Sequence, residues 1–278
     1  MNPSGPPPPG AVKTITSLSN PIVKDIRGLA LSKNRKASGL FVAEGLKLVA
    51  DAVEANWKIR TLVHSGAVAE QPLVRKLAAT AHALGGSVLT VNEGVLAKIS
   101  RRDNPQTVLG VFEQKLMPVS AIRPKYGDVW VALEAVRDPG NLGTIVRTAD
   151  AVGAAGVILL GDTVDPFSVE AVRATMGSIF AVPMARANRA EFAALVRDWK
   201  GAVVGTHLSG TADYRDARYV RPTLLVMGGE QSGLTPETAA LCSTLVKIPM
   251  AGKADSLNLA VATAVMLFEI RRGDLKLG

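Results

Sequence analysis

The apolar positions of this chain fall into two successive series of alternating helices and strands. In the first, from about Ile15 to Gln114, Ile22, Ile26 and Leu29 share one face of NPIVKDIRGLALSK, which predicts a single helix there. GLFVAEG reads as a short strand and GLKLVADAVEAN as an amphipathic helix. IRTLVHS, SVLTVN and TVLGVFEQ read as further strands, with helices at PLVRKLAATAHAL and GVLAKIS between them. The pattern predicts an α/β layer domain over residues 13–115. Pro118 and Pro124 interrupt the periodicity, which places a linker at 116–127. The Pro/Gly-rich residues 1–12 predict a disordered tail.

The second series, 128–278, opens on the buried-type strand VWVALEAV, followed by the loop RDPGN and a helix through TIVRTADAVG. VILLG reads as a strand, and SVEAVRATMG and AEFAALVRDWK as helices. AVVGTHL, TLLVMGG and TLVKIPM are three candidates for a parallel sheet, because they are apolar without alternation. LNLAVATAVMLFEIRR is apolar on most faces and reads as a buried helix. The predicted class is α/β: a mostly parallel sheet preceded by a smaller α/β domain.

Charge sharpens this division. The 278 residues hold 32 Lys or Arg against 24 Asp or Glu, a net of +8. Residues 1–124 carry 16 basic and 8 acidic side chains and residues 125–278 carry 16 of each, so the whole excess lies in the first half. That asymmetry fits one part that holds a polyanion and another with a different task; a basic surface kept for solubility gives the same count. An apolar content of 47% with 20% charged residues excludes general disorder. Leu77 to Asn92, the longest stretch without a charged residue, falls short of the roughly 20 apolar residues that span a bilayer. MNPSGPPPPGAV lacks both the basic and the apolar segment of a secretory signal. The single cysteine, Cys242, excludes an internal disulfide, and His64, His82 and His207 lie far apart, so no metal site is expected. A soluble, reducing, cytoplasmic setting with no membrane partner follows as the expectation.

Ligands of parallel sheets bind beyond the carboxyl ends of the strands. Three strand-end loops in the second half are unusual. The first, Asp138-Pro139-Gly140-Asn141-Leu142-Gly143, leads into a helix that carries Arg147. Asn141 is placed like an N-cap, and Arg147 stands on an otherwise apolar helix, where it should pair with Asp138 or Asp150 or bind an anion. The second, Met227 to Leu234, carries Glu230 among three glycines at the end of a buried strand. It matches neither GxGxxG nor a P-loop, which argues against a Rossmann oxidoreductase. The third runs from Ile248 to Leu259 and brings Ser256, a candidate N-cap, and Asn258 to the start of the last helix. Its backbone groups suit the edge of an adenine, and Ile248, Met250 and Leu257 could supply apolar walls.

Taken in order, N-x-G-x-x-x-R, G-x-E-x-x-G-L and I-P-M-x-G-x-x-x-S-L-N resemble the motifs of the SpoU (TrmH-type) RNA ribose 2′-O-methyltransferases of the SPOUT superfamily. The likeness extends from Val129 to Arg272. It implies a trefoil-knotted α/β domain, S-adenosylmethionine as methyl donor and an obligate homodimer. It also implies catalytic roles for Asn141, Arg147, Glu230, Ser256 and Asn258, with Gly228, Ile248 and Leu257 at the methyl donor and Thr206 and Met250 beside it. Members often continue Val-Ser after the SLN, whereas Leu259-Ala260 stands here, so a hydroxyl at 260 is missing.

The first half is similar, in its order of elements and in NPxVK…RKxSGLFVAEGxKLV (Asn20 to Val49), to the substrate-binding domain of the rRNA-modifying members. Lys24, Arg27, Lys33, Arg35 and Lys36 form a basic run around a Ser/Asn turn that is suited to phosphate contact; a solvated helix face would look the same. With 4% aromatic residues, recognition should rest on phosphates and RNA shape rather than base stacking. A separate leading domain favours large-subunit rRNA over tRNA as the partner. A tRNA 2′-O-methyltransferase and an RNA-binding assembly factor without activity are the alternatives.

Overall fold

A computed structural model describes residues 10–276. It divides into two units, one running to Gln114 and including Phe167–Arg173, the other made of Lys115–Pro166 and the chain from Ala174 onward.

The first unit follows the chain through β1 (Val12–Ile15), α1 (Pro21–Gly28), α2 (Ser32–Ser38), β2 (Leu40–Glu44), α3 (Leu46–Glu54), β3 (Ile59–Ser65), α4 (Pro72–Ala83), β4 (Ser87–Val91), α5 (Glu93–Ser100) and β5 (Val108–Glu113). The sheet order is β1-β4-β3-β5-β2, with β1, β4 and β3 parallel and β5 antiparallel to both neighbours. Ile26, Val42, Val63, Leu89, Leu96 and Leu109 meet in its core. Residues 10–12 of the expected tail are ordered into this sheet: the Gly10 amide donates to the His82 carbonyl at 3.0 Å, and Val12 begins β1. Residues 1–9 lie outside the described residues.

The helix expected over NPIVKDIRGLALSK ends at Gly28, and α2 begins at Ser32, where a Ser/Asn turn was expected. Asn20 caps α1 by accepting from the Ile22 amide. Arg35 corrects the reading of the basic run. Its guanidinium turns inward and donates to the carbonyls of Leu29 at 2.7 Å and Ala30 at 2.9 Å, just past the end of α1. With only 3% of its surface exposed, Arg35 is a clasp between two helices and is removed from any phosphate-binding row. Lys24, Arg27, Lys33 and Lys36 are exposed. Phe167–Arg173 also belongs to this unit: the Phe167 ring lies 4.8 Å from that of Phe41, and Arg173 donates to Glu44 at 2.7 Å.

The second unit contains β6 (Met117–Pro118), β7 (Val129–Glu134), α6 (Pro139–Ala151), β8 (Gly156–Leu160), β9 (Met184–Ala187), α8 (Arg189–Arg197), β10 (Val203–Thr206), β11 (Ala212–Asp213), β12 (Thr223–Met227), α9 (Pro236–Leu241), β13 (Thr244–Lys247) and α10 (Leu259–Arg271). The short α7 (Val169–Ala174) occupies only part of the helix expected at SVEAVRATMG. The sheet order is β11-β13-β10-β12-β7-β8-β9-β6, and among the described residues every pairing in it is parallel. Strands covered on both faces must be apolar throughout, and β7, β8 and β12 are buried at every position.

The stretch read as a linker is built into this unit: β6 pairs with β9, and Val119 and Ile122 are buried in the core with Trp130 and Ile158. The last helix is buried on one side only, through residues such as Thr263, Met266 and Ile270. Val261 and Phe268 are 50% and 51% exposed, so it is not enclosed on all faces as expected. Among the described residues no helix is long and apolar enough to cross a membrane. Because β7, β10, β12 and β13 are parallel, the loops that leave them all emerge at one edge of the sheet.

Candidate active site

The loop after β7 enters α6 through Asp138, whose side chain accepts from the Asn141 amide at 2.6 Å, with Pro139 in the first helical turn. Asp138, not Asn141, is therefore the N-cap. This frees the Asn141 side chain. The loop after β12 folds back on itself through paired backbone hydrogen bonds between Gly229 and Gly233, at 3.2 and 3.0 Å. A Cβ on Gly228 would lie 2.0 Å from the Gly233 carbonyl carbon, so this glycine is demanded by the turn itself.

Glu230 stands at the tip of that turn. Its Oε1 accepts from Asn141 Nδ2 at 3.1 Å and from the Asp138 amide at 3.4 Å, and its Oε2 accepts from the Arg137 amide at 3.4 Å. Desolvation raises its carboxyl pKa, but the hydrogen bonds, that from Asn141 foremost, more than offset this and hold it below the usual carboxylate value. On the third loop, Asn258 and not Ser256 caps α10, with Oδ1 accepting from the amides of Ala260 at 2.9 Å and Val261 at 3.3 Å. Asn258 Nδ2 donates to Asn141 Oδ1 at 3.0 Å. At position 260, where a hydroxyl is missing, the polar contact to Asn258 is that of the backbone amide. The three loops are thus joined by side-chain hydrogen bonds through Asn141.

Beside this junction is a cavity of about 600 Å³, within the size range of small-molecule sites. Thr206, Gly228, Ile248, Met250 and Leu257 all line it, as do Glu230, Ser256 and Asn258. Met227, His207, Lys247, Asp255 and Ser232 also line it and were not singled out from the sequence. Their signal was positional: each lies in or just beyond β10, β12 or β13 or in the third loop. The Thr206 hydroxyl donates to Met227 Sδ at 3.3 Å. Apolar walls from Ile248, Met250 and Leu257 beside a backbone-rich glycine turn fit a nucleoside with a polar tail.

At the end of β7, the buried Glu134 accepts from the Thr235 amide at 2.9 Å and from the hydroxyls of Thr235 at 2.8 Å and Thr238 at 2.7 Å. It ties the end of the second loop to β7. Burial, aided by Glu134, pushes the Cys242 thiol up to about 12, which leaves it without thiolate character. Arg147 does not line the cavity. It is exposed on α6 and, among the described residues, makes no ion pair with Asp138 or Asp150. The described residues contain no group of three or more potential metal ligands.

A parallel sheet whose strand-end loops enclose such a cavity, beside a carboxylate–amide junction, defines an α/β protein that holds a small ligand at its strand ends. Residues 128–268 match the SpoU rRNA Methylase family, and the chain belongs to that family. Residues 20–110 match the MRM3-like substrate binding domain. An AdoMet-bound rRNA methyltransferase from Sinorhizobium meliloti is similar in structure, with a TM-score of 0.91 and 55% identity over 96% of this chain and 100% of that one. The 23S rRNA (uridine(2479)-2′-O)-methyltransferase of Streptomyces viridochromogenes is 32% identical, covering 94% of this chain and 93% of the relative. The 23S rRNA (guanosine(2553)-2′-O)-methyltransferase RlmP of Bacillus subtilis is 28% identical, covering 94% and 100%.

Proposed function

We propose that this protein transfers a methyl group from S-adenosylmethionine to a ribose 2′-hydroxyl of large-subunit ribosomal RNA. The observation that carries the reading is the convergence of the second and third motif loops on one nucleoside-sized cavity, with the first loop tied to both through Asn141, which bonds Glu230 and Asn258. Thr206, Gly228, Ile248, Met250 and Leu257 would hold the methyl donor, which supplies an electrophilic methyl on a sulfonium.

A ribose hydroxyl is a poor nucleophile and must lose its proton as it attacks. Arg147 cannot accept that proton, because a guanidinium stays protonated to above pH ~12. Exposed on α6, it clamps the adjoining 3′-phosphate and polarises the 2′-hydroxyl. The proton leaves to phosphate or water.

The relatives with activities on 23S rRNA and the substrate-binding domain over residues 20–110 support rRNA as the partner. Lys24, Arg27, Lys33 and Lys36 would contact phosphates, without Arg35. A homodimer would cover the exposed face of α10, where Val261 and Phe268 lie seven residues apart and so on one side of the helix. The trefoil knot that family membership implies belongs to this unit, and ribosomal RNA as substrate puts the protein in the cytoplasm.

The test is incubation of the purified protein with 23S rRNA and methyl-labelled S-adenosylmethionine, followed by nucleoside mass spectrometry. Label in a single 2′-O-methylnucleoside is expected. Label on a base, or none, would overturn the proposal.

A further inference from the structure

The hydrogen bonds that join the three loops run in one direction. The amides of Ala260 and Val261 donate to Asn258 Oδ1, Asn258 Nδ2 donates to Asn141 Oδ1, and Asn141 Nδ2 donates to Glu230 Oε1. Each amide orientation is forced by its neighbour. An ionised carboxylate only accepts, so Asn141 must turn its NH₂ toward Glu230. Its oxygen then faces Asn258, which must donate. The Asn258 oxygen is left for the first free amides of α10, where an N-cap acceptor is required. The Arg137 and Asp138 amides, at the entry to α6, converge on the same carboxylate.

We propose that Glu230, Asn141 and Asn258 form a polarised relay in which Glu230 is a positioning residue whose charge sets the direction of both amides and thereby fixes the start of α10 against α6. The consequence for the reaction is geometric. Ser256 and Leu257, which immediately precede Asn258, line the cavity, whereas Arg147 stands on α6 six residues beyond Asn141. The relay sets the spacing between the wall that would hold the methyl donor and the cation that would hold the acceptor ribose. A carboxylate already engaged by three donors is suited to holding this frame and poorly suited to taking a proton from substrate.

Because direction is the claim, reversing it is the test. Asn141→Asp sets two carboxylates against each other. Adding Glu230→Gln restores a single charge in the pair with reversed polarity: the side-chain amide now at position 230 donates to the carboxylate now at position 141, which still accepts from Asn258. The relay predicts a methyl-transfer rate about 100-fold lower for Asn141→Asp, recovering about tenfold or more in the double variant. Thermal unfolding of the same full-length variants should be non-additive, with the double variant melting above Asn141→Asp alone. Asn258→Asp keeps the N-cap acceptor but loses the donor to Asn141: it should melt below wild type by less than a variant that also loses the cap, Asn258→Ala, and should lose rate, with little change in S-adenosylmethionine affinity by calorimetry.

Additive melting shifts, or a double variant as slow as the worse single one, would overturn the relay. The rate arm rests on the methyl-transfer reading, whereas the melting cycle does not. Wild-type protein that transfers no methyl but shows coupled melting refutes the former and leaves the latter standing.

Discussion

The α1–α2 surface of the first unit and the strand-end loops of the second treat polar groups in opposite ways. Of the five basic residues on α1 and α2, Lys24, Arg27, Lys33 and Lys36 point outward and Arg35 is consumed internally. In the loops, Glu230, Asn141 and Asn258 satisfy one another, and Arg147 is the group left projecting. A surface that grips a long polyanion needs several interchangeable charges, each contributing a little. A site that aligns two reacting atoms needs a fixed frame around a single charge. Arg35 and Arg147 are the exceptions in each region, and they exchange the roles their surroundings suggest.

The largest test of this contrast is Arg147→Lys. Replacing a planar, bidentate cation with a point charge should leave RNA affinity nearly intact and reduce the transfer rate by about 100-fold or more. Near-normal turnover in single-turnover assays would remove the guanidinium from its assigned place. Next, if α10 forms the proposed homodimer contact, Val261→Asp combined with Phe268→Asp should halve the mass seen by sedimentation, and unchanged mass would remove α10 from that role.

Smaller effects separate Arg35 from its neighbours. Arg35→Ala should cost about 1.5–3 kcal/mol in chemical denaturation, because two carbonyls next to the α1 terminus lose a charged donor. Lys33→Ala should change stability by less than about 0.5 kcal/mol while lowering the salt dependence of RNA binding by about one ion. If both variants behaved alike, the distinction between clasp and grip would fail.

The smallest effect is the pH dependence of Glu230. Its carboxyl lies below its ordinary value. Its contribution to stability is therefore fully present above the ordinary carboxylate range and lost as pH falls through the lowered value. Melting curves of wild type and Glu230→Gln should converge on acidification and separate toward neutrality.

These contrasts were unevenly legible in the sequence. The apolar runs that became β7, β8 and β12 announced a sheet covered on both faces, and the strand-end rule pointed to the two loops that line the cavity and to the one that joins them through Asn141. Capping was misjudged because Asn141 and Ser256 carry side chains as suitable for a cap as those of Asp138 and Asn258, and the choice was made by tertiary contacts between distant loops. Arg35 looked like its basic neighbours, since nothing local reveals that α1 ends at Gly28 and leaves nearby carbonyls in need of a donor. The prolines near 118 and 124 suggested an exposed connection, yet Val119 and Ile122 supply enough apolar surface to fold it into the second unit. The order of motif residues carried the family resemblance, whereas the hydrogen-bond direction that links them required the structure.

Alkaline cleavage mapping of 23S rRNA, from cells with and without this gene, reads ribose methylation at the nucleotide itself, because strand scission needs a free 2′-hydroxyl. One nucleotide should resist cleavage in RNA from cells that carry the gene and become labile when the gene is deleted or Arg147 is replaced. Identical cleavage patterns in all three RNAs would contradict the assignment of ribose methylation to this site.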